Sequence, residues 1–493
     1  MKKNSDYKSP FNDAQDDRYR ILVTGASGYV GGRLVPLLLQ EGYPVRCMVR
    51  NPAKLSGRSW QQAEITAGDV LKPETLAAAL KDIDIAYYLV HSMSGSDDFE
   101  EMDIRAAANF AQAAANNRVK RIIYLGGLAK NTADMSPHLR SRQKVGEVLG
   151  QTGVPVTELR ASIVIGSGSA SFEIIRDLVR KLPVMITPKW VNSLCEPIAI
   201  RNVLNYLTGC INEPRTVGEI LEIGGGEVLS YGEMMRQVAE ITGRKLRIIS
   251  VPVLTPKLSA YWLNLVTTVP MNIAFPLVEG LRNDTICSDH RIREWIPQEL
   301  LSFRKAVRRA LQREKSGSLD SRWTEAESGS LQATELKLEG RFLQDYRVLL
   351  TPESPETVFN KLRQIGGDTG WYYANWLWKL RGGMDRLIGG VGMRRGRRHP
   401  TDLRIGDAVD FWRVEAVDPP RYLKLRAEMK LPGTAWLEFN ISKNPQGLTQ
   451  FEQKAVFKPQ KVFGKLYWYL TMPFHFFIFR NMAKRITEGN AQK

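Results

Sequence analysis

The sequence predicts two folded halves: an α/β half built on a doubly wound parallel sheet, then an α+β domain with an antiparallel sheet. In the first half, strand-like apolar runs alternate with segments of helical periodicity, which is typical of a parallel sheet covered by helices. A polar stretch rich in Ser, Gly and charge follows at 312–335 and predicts a linker. Beyond it, consecutive strands joined by turn sequences indicate the antiparallel sheet.

Composition narrows the class of protein. The 493 residues are 43% hydrophobic and 25% charged, which fits two or more globular domains and excludes a disordered or multi-pass membrane chain. Four cysteines without CxxC spacing and five scattered histidines argue against a disulfide framework and a metal site. Residues 1–19 have no apolar run of a secretory signal, so we expect a disordered tail and a cytoplasmic protein.

The net charge of +17 calls for an acidic partner. The candidates are a phosphorylated cofactor, an anionic membrane surface and nucleic acid. The sequence contains no helix-turn-helix, zinc-finger or RNP-type motif, so a nucleic-acid partner is not expected.

The first functional motif lies in RILVTGASGYVGG, residues 20–32. A buried strand enters a turn with glycines at 25, 28 and 31, and a helix and a second strand follow, which is the context of a dinucleotide fingerprint. Gly25 permits the tight turn, Gly28 lets a pyrophosphate approach, and Gly31 lets the helix pack on the strand. We therefore predict a Rossmann domain with a bound dinucleotide, in preference to a ligand-free glycine turn.

The end of the second strand favours NADP(H) over NAD(H). NAD sites carry an acidic residue there, which bonds the ribose 2′-hydroxyl. This sequence has Arg50 at that position, with Lys54 and Arg46 close by. A guanidinium matches a 2′-phosphate, although a solvated basic loop is the alternative.

The remaining strands of the first domain are predicted at 65–70, 85–92, 120–128 and 154–166. From about 183 to 311 the strict alternation ends, and we expect a small substrate lobe. Within it, residues 258–278 carry no charge. We interpret them as buried helices lining an apolar cleft or as an interfacial patch, and a bilayer span is disfavoured because Pro270 and Pro276 interrupt it.

After the linker, residues 336–493 predict a strand, a capped helix, four strands and a long final helix at about 459–488. In RYLKLRAEMK, apolar and charged residues alternate, which indicates a sheet with one dry face. This order of elements resembles the helix-grip fold of START-like proteins, which implies that the sheet wraps the final helix around an apolar cavity.

Two stretches of this domain suggest a peripheral membrane contact at the inner face of the membrane. The first is the basic run Arg394–Arg398, and the second is LYWYLTMPFHFFIFR, residues 466–480. Basic residues would contact lipid phosphates, and aromatic residues would lie at the membrane interface. The alternative is a core helix beside a solvated basic loop. For the helix we favour the core, because a helix-grip domain needs a hydrophobic final helix; for the arginines both remain open.

TGASGYVG, the GDV at 68–70, IVIGSG and EPIAIRNVLNYL resemble the atypical or extended short-chain dehydrogenase/reductase superfamily, in its epimerase/dehydratase-like NAD(P)H-binding branch. The nearest subgroup carries an extra carboxy-terminal domain of unknown function, DUF2867. The resemblance implies a bound NADP(H), with Asp69 and Val70 beside the adenine. The cofactor-binding residues expected from the motifs and the resemblance are Gly25, Ser27, Gly28, Tyr29, Val30, Gly31, Arg50, Asp69, Val70, Leu89, Val90 and Lys144.

The superfamily's catalytic groups are incomplete here. Active members use YxxxK and a serine at the end of the fifth strand, whereas this sequence has Arg140, Lys144 and the pair Gly126–Gly127. Arginine stays protonated and cannot serve as a general acid at neutral pH. Lys144 is either a ligand of the nicotinamide ribose or a solvated lysine. His138 is the second catalytic candidate.

His91, Tyr87 and Tyr88 are further replacements for the missing tyrosine, because they lie in segments that we expect to face the cofactor. The sequence thus supports two functions. One is an oxidoreductase that acts on an apolar or lipid-like small molecule without the usual Ser/Tyr pair. The other is a non-catalytic NADP(H)-binding redox sensor or assembly and regulatory factor, which associates with a membrane.

Overall fold

A computed structural model describes residues 18–55, 58, 60, 62–90, 99–129, 135–251, 267, 269, 277, 279–280, 283–315, 321 and 342–488. The strands of the first domain are β1 (Ile21–Thr24), β2 (Val45–Val49), β3 (Glu64–Ala67), β4 (Ile85–Tyr88), β5 (Arg121–Gly127), β6 (Val156–Ala161), β7 (Val164–Ile165), β8 (Val184–Pro188), β9 (Leu194–Cys195), β10 (Ile198–Ala199), β11 (Ile220–Ile223), β12 (Leu229–Ser230) and β13 (Arg247–Val251). Its helices are α1 (Gly31–Gln40), α2 (Leu76–Leu80), α3 (Phe99–Asn116), α4 (Pro137–Gly150), α5 (Ala170–Lys181), α6 (Ile200–Asn212), α7 (Tyr231–Ile241), α8 (Arg291–Trp295) and α9 (Phe303–Lys315).

The main sheet is parallel, with the order β3-β2-β1-β4-β5-β6-β11. Alternate residues of each strand enter different cores, because successive side chains of a strand point to opposite faces. Ile21 and Val23 pack with α1 and α6 on one face, and Leu22 packs with α2 and α3 on the other. The predicted doubly wound sheet is confirmed, and its strand order reverses between β1 and β4.

A smaller lobe follows the main sheet. Helices α5, α7 and α9 share a third core with β7, and the strands β8 and β13 pair in parallel beside it. The uncharged stretch 258–278 falls mostly outside the described residues, so the prediction of a cleft-lining segment stays a prediction. Among the helices that the structure describes, none is long and apolar enough to cross a bilayer.

The second domain contains β14 (Leu343–Thr351), β15 (Ala408–Val409), β16 (Trp412–Asp418), β17 (Tyr422–Ala427), β18 (Gly433–Lys443) and β19 (Thr449–Pro459), with helices α10 (Pro355–Leu362), α11 (Asn375–Leu387) and α12 (Lys461–Thr487). The sheet is antiparallel in the order β14-β19-β18-β17-β16-β15. Leu437, Phe439 and Ile441 of β18 are all buried on one face. The predicted antiparallel domain is confirmed, and α10 and α12 pack with the sheet in one core.

The arginine run is not a membrane-facing cluster. The guanidinium of Arg398 lies 3.0 Å from the carboxylate of Asp407, and both side chains are only 4% exposed. Arg395 is buried against Glu428, and Arg397 donates to the carbonyl of Arg363 at 2.7 Å. These three arginines are bound by partners within the domain, which favours the alternative to a lipid contact; the side chain of Arg394 lies outside the described residues, so a lipid contact there stays a prediction.

The final helix divides into two parts. In its last ten residues, one side of the helix belongs to the core, with Ile478, Phe479, Met482 and Ile486 buried against the sheet. The earlier turns are different, since Val462 and Phe463 are each 77% exposed. The favoured interpretation of a core helix thus holds for the carboxy-terminal part only.

Candidate functional site

The glycine turn between β1 and α1 has a shape that two of its glycines make necessary. Gly25 has a φ of +65°, and a Cβ there would lie 2.7 Å from the carbonyl oxygen of Leu89. A Cβ on Gly31 would lie 2.3 Å from the carbonyl oxygen of Gly25. Real Cβ atoms do not approach oxygen so closely, so these positions exclude any side chain. Gly31 therefore packs the helix onto the strand, as predicted.

Gly28 differs from its two neighbours. Its N–H donates to the carbonyl of Gly25 at 2.8 Å, and a Cβ on Gly28 would meet that oxygen alone, at 3.1 Å. The remaining space around this position is open. Helix α1 starts three residues later with no acidic residue in its first turn and no side-chain cap. An uncapped helix amino terminus beside an open glycine is a suitable cradle for a pyrophosphate.

Thr24 connects the turn to the neighbouring strand and was not recognised from the sequence. Its hydroxyl donates to the carbonyl of Tyr87 at 2.9 Å and accepts the N–H of Leu89 at 3.0 Å. This pair of bonds holds the segment after β4, including Leu89 and Val90, against the glycine turn. Leu89 and Val90 are both half-buried, and we expect them to contact the cofactor.

The back of the turn is fixed by a buried arginine, Arg33. Its guanidinium donates to the carbonyl oxygens of Ser167 at 2.8 Å and Ser321 at 3.1 Å, and it lies 4.4 Å from the centre of the Tyr29 ring. Burial raises the pKa of Tyr29 to about 12. The Tyr29 side chain thus supports the turn from behind.

The predicted adenine position lies after β3. Asp69 accepts the N–H of Leu71 at 3.1 Å on its carboxylate, and its own N–H donates to the Thr75 hydroxyl at 3.0 Å. Val70 is buried, and its carbonyl accepts the Asn109 amide at 3.0 Å. These bonds hold the loop at the edge of the sheet where the glycine turn also lies, because both follow the carboxyl ends of strands in the same parallel sheet.

The three basic residues near β2 have different roles. Arg50 follows the carboxyl end of the strand and is exposed. Arg46 lies at the other end and binds Glu64 at 2.8 Å, and Lys54 is buried. Arg58, which sequence reasoning missed, stacks 4.9 Å from the Trp60 ring centre, and its guanidinium lies 3.0 Å from the position of a Cβ on Gly32. Arg50 and Arg58 are thus the basic groups near the turn.

We expect NADPH to bind at least about tenfold more tightly than NADH, because a charge-assisted bond to the 2′-phosphate contributes about 1.5–3 kcal/mol. Arg50→Ala should remove most of this preference without changing the affinity for NADH. Fluorescence titration of both cofactors against wild type and variant measures it, with Arg46→Ala as the matched control. Equal affinities of the wild type for the two cofactors would contradict the assignment.

The place of the usual catalytic serine is filled. A Cβ on Gly126 would lie 2.8 Å from a carboxylate oxygen of Glu158, and one on Gly127 would lie 3.0 Å from Leu139. Glu158 is buried and its Oε1 accepts from Arg160 at 2.8 Å, while burial raises its pKa. Gly126 and Gly127 therefore leave room for the side chains of Glu158 and Leu139. A serine hydroxyl would not fit at either glycine without rearrangement.

The candidates on α4 are also engaged. The ammonium of Lys144 lies 2.7 Å from the carboxylate of Glu100 on α3 and is half exposed. Arg140 donates to the carbonyl of Met135 at 3.1 Å, and His138 is buried. Lys144 stays a candidate ribose ligand, but Glu100 already holds its charge.

The tyrosines of β4 do not face the cofactor. The hydroxyl of Tyr87 donates to the carbonyl of Leu207 at 2.7 Å, and Tyr88 packs on Phe110 and Tyr124. Burial raises the pKa of both Tyr87 and Tyr88 well above the ordinary value. The expectation that either phenol replaces the missing tyrosine is therefore wrong, since both are core groups. His91 lies outside the described residues.

Two family models match the chain. One, described as NAD(P)H-binding, covers residues 25–165, which include the glycine turn and β2 to β7. The other, a protein of unknown function named DUF2867, covers residues 338–482, the antiparallel domain. Both were expected from the resemblance of the sequence.

Two curated relatives are similar to the first half. The photosystem II assembly factor Ycf39 of Trieres chinensis is 22% identical over 239 residues, which are 48% of this chain and 74% of the relative. The chloroplastic divinyl chlorophyllide a 8-vinyl-reductase of Oryza sativa subsp. indica is 24% identical over 261 residues, or 50% of this chain. That match spans 64% of the reductase, less than two thirds of its length.

Among solved structures, the triphenylmethane reductase of Citrobacter sp. is similar in fold. It superposes with a TM-score of 0.51 and 20% identity, over 60% of this chain and all of the reductase. The cradle at Gly28 fits the cofactor named by the first family model. The chain therefore contains a domain that matches the NAD(P)H-binding family model, followed by a carboxy-terminal DUF2867 domain.

Proposed function

We propose that the protein is an NADP(H)-dependent reductase of an apolar or lipid-like small molecule whose reducible group is a conjugated double bond. The observation that carries the proposal is a cofactor cradle, with open space at Gly28 and Arg50 exposed after β2, in a chain that has glycine and arginine at the positions of the usual serine and tyrosine. The cradle favours redox chemistry, and the missing acid restricts the acceptor.

When bound, NADPH supplies a hydride from its nicotinamide ring. A simple carbonyl acceptor then needs a positioned acid, because an alkoxide is a strong base. In this protein Gly126 and Gly127 replace the serine, Arg140 replaces the tyrosine, and Tyr87 and Tyr88 are core groups. A conjugated acceptor delocalises the added charge and can take its proton from water. The described residues of this site therefore suit positioning of the acceptor more than acid catalysis.

The relatives lend support at the level of chemistry. The rice protein is, by its name, a vinyl reductase, so hydride addition to a carbon–carbon double bond occurs among proteins similar to this half of the chain. The identity is 24%, and the substrate of this chain stays a proposal.

The proposal is tested by NADPH oxidation with purified full-length protein across two panels, conjugated apolar alkenes and simple aldehydes or ketones. We expect turnover in the first panel and very weak turnover in the second, with no bell-shaped pH profile. Arg140→Tyr is the matched variant: it rebuilds YxxxK but should raise carbonyl turnover only slightly, because neither Gly126 nor Gly127 supplies a hydroxyl to orient the carbonyl. Robust wild-type turnover of simple carbonyls with a bell-shaped profile would contradict the proposal.

A second candidate function is a non-catalytic NADP(H)-binding regulatory or assembly factor. Ser321, a residue of the predicted linker, donates from its hydroxyl to the carbonyl of Tyr29 at 2.8 Å. Ser321 thus attaches the linker to the cofactor turn. In this role, binding of the cofactor at the turn is transmitted through Ser321 to the second domain. The name of the Ycf39 relative, an assembly factor, is compatible with this role. Tight NADPH binding without turnover in either panel, together with altered protease sensitivity of the linker, would favour it.

A further inference from the structure

The second domain exposes an unusually large apolar surface on two helices. On α11 and just after it, exposed side chains recur at 376, 380, 384, 387 and 388, which is helical spacing. On α12 a second stripe runs along residues 462–477. Together the two stripes contain Trp376, Leu380, Met384, Leu387, Ile388, Val462, Phe463, Leu466, Tyr469, Leu470, Met472, Phe474, Phe476 and Phe477. We call this surface the aromatic face.

The two stripes adjoin each other. The guanidinium of Arg381 on α11 lies 5.4 Å from the ring centre of Tyr467 on α12. The ring of Tyr373, just before α11, lies 6.0 Å from that of Phe477. The aromatic face is therefore one surface, and its fourteen large apolar side chains far exceed the isolated exposed residues that are normal on a soluble domain.

Helix α12 meets the sheet with a different side. Gly464 and Trp468 are buried, and Trp468 stacks on Phe457 of β19 with ring centres 5.7 Å apart. The early turns of α12 are thus apolar both toward the sheet and away from it. A helix that is apolar all round is normally covered on all sides, so the outward side of α12 needs an apolar partner.

The two helices that carry the aromatic face have an excess of basic residues. From Lys461 to Thr487, α12 contains five basic residues and no acidic one: Lys461, Lys465, Arg480, Lys484 and Arg485. On α11 the acidic residue Asp385 is buried, and its carboxylate accepts the N–H groups of Gly392 and Lys430. Lys379 on α11 is exposed. The two helices therefore present basic residues together with the exposed apolar side chains of the aromatic face.

This charge decides what covers the face. In a symmetric dimer two copies of the same surface would meet, and their basic rims would repel each other. A bilayer surface with anionic lipids supplies both an apolar interior and negative phosphates, and aromatic side chains are favoured at its interface. None of the described helices is long and apolar enough to cross the bilayer, which fits helices lying in its plane.

We propose that the aromatic face docks on the surface of a bilayer that contains anionic lipids, with α11 and the first turns of α12 lying in the interface. The basic residues beside it bind lipid phosphates. The surface is distinct from the arginine run Arg394–Arg398, whose buried members serve the core. Docking would keep the protein peripheral, and it does not depend on whether the first domain is an enzyme.

The test is co-sedimentation of full-length protein with phosphatidylcholine vesicles that contain about 30% phosphatidylserine, or none. We expect preferential binding to the anionic vesicles, which weakens at about 0.5 M salt because of screening. Phe463→Gln with Leu470→Gln should lower the partition coefficient about tenfold or more. Lys379→Gln with Lys465→Gln should lower binding to anionic vesicles several-fold and leave the weak binding to neutral vesicles unchanged.

Matched controls separate the face from general surface effects. Val184→Gln with Ile186→Gln removes two exposed apolar residues from the first domain, and Lys81→Gln with Lys245→Gln removes the same charge there. Both controls should bind as wild type does, and all variants should retain the wild-type unfolding temperature and NADPH affinity.

Three outcomes would overturn the proposal. The first is no vesicle binding by wild type, and the second is equal loss in the controls. The third is a stable dimer in light scattering that Phe463→Gln with Leu470→Gln dissociates, because a second copy would then cover the face.

Discussion

Gly28→Val is expected to abolish NADPH binding, with a loss of at least about a hundredfold, or about 2.8 kcal/mol. A Cβ at this position meets only the carbonyl oxygen of Gly25, at 3.1 Å, so the turn needs a small adjustment to accept it. The two methyl groups of valine would then occupy the open space that a pyrophosphate needs. Isothermal titration with NADPH measures the loss, and circular dichroism checks that the fold is retained.

Gly31→Ala is the matched comparison, because it adds a smaller group at a position that is tightly packed, whereas the space around Gly28 is open. Its Cβ would lie 2.3 Å from the Gly25 carbonyl oxygen and 2.9 Å from the Cα of Ala26, so the helix must move from the strand. We expect this variant to lose folding stability, whereas Gly28→Val loses binding. Unchanged NADPH affinity in Gly28→Val would show that the cofactor binds elsewhere.

Arg398→Met is expected to destabilise the second domain by about 3–5 kcal/mol, because removing one partner leaves a buried charge without compensation. The carboxylate of Asp407 is 4% exposed and accepts both from Arg398 and from the backbone N–H of Arg404 at 2.9 Å. Without the guanidinium, Asp407 retains a negative charge in a buried site. Denaturant unfolding followed by tryptophan fluorescence measures the change.

Arg421→Met is the control for this substitution. Arg421 is 71% exposed and pairs with Asp418 at 3.4 Å, so its replacement should cost less than about 1 kcal/mol. Arg398→Met should also leave vesicle binding of the surviving folded protein unchanged, since Arg398 is not on the aromatic face. Equal stabilities of the two variants would mean that the arginine run is a solvated surface after all.

The cofactor half was predictable because its signals are local. A glycine that must adopt a positive φ, such as Gly25, cannot be replaced, so the turn is visible in the sequence with its flanking strand and helix. The signal for NADP(H) is equally local, because Arg50 stands at the end of β2 in place of an acidic residue. Arg58 and Thr24 were missed because their relation to the turn depends on how the fold places residues that are distant in sequence, as with Thr24 and Tyr87, which are 63 positions apart.

The predictions that failed share a cause. Tyr87 and Tyr88 lie in the right strand, but alternate residues of a buried strand both point into cores, and each phenol lies in one of them. The arginine run is basic in sequence, but its counter-charges Asp407 and Glu428 come from a loop and from beyond the next strand. A run of like charge does not reveal whether opposite charges return to it in the fold.

The sequence by itself determined the order of strands and helices, the cofactor turn, and the absence of the serine and tyrosine from their usual positions. These depend on periodicity, glycine geometry and residue type, all of which are properties of neighbouring residues. The tertiary structure alone decided which charged and aromatic residues are covered. It buried Arg395 and Arg398 and left Phe463 and Leu470 exposed, because burial depends on what other elements pack against a residue, and an apolar helix has the same sequence whether one side or every side is covered.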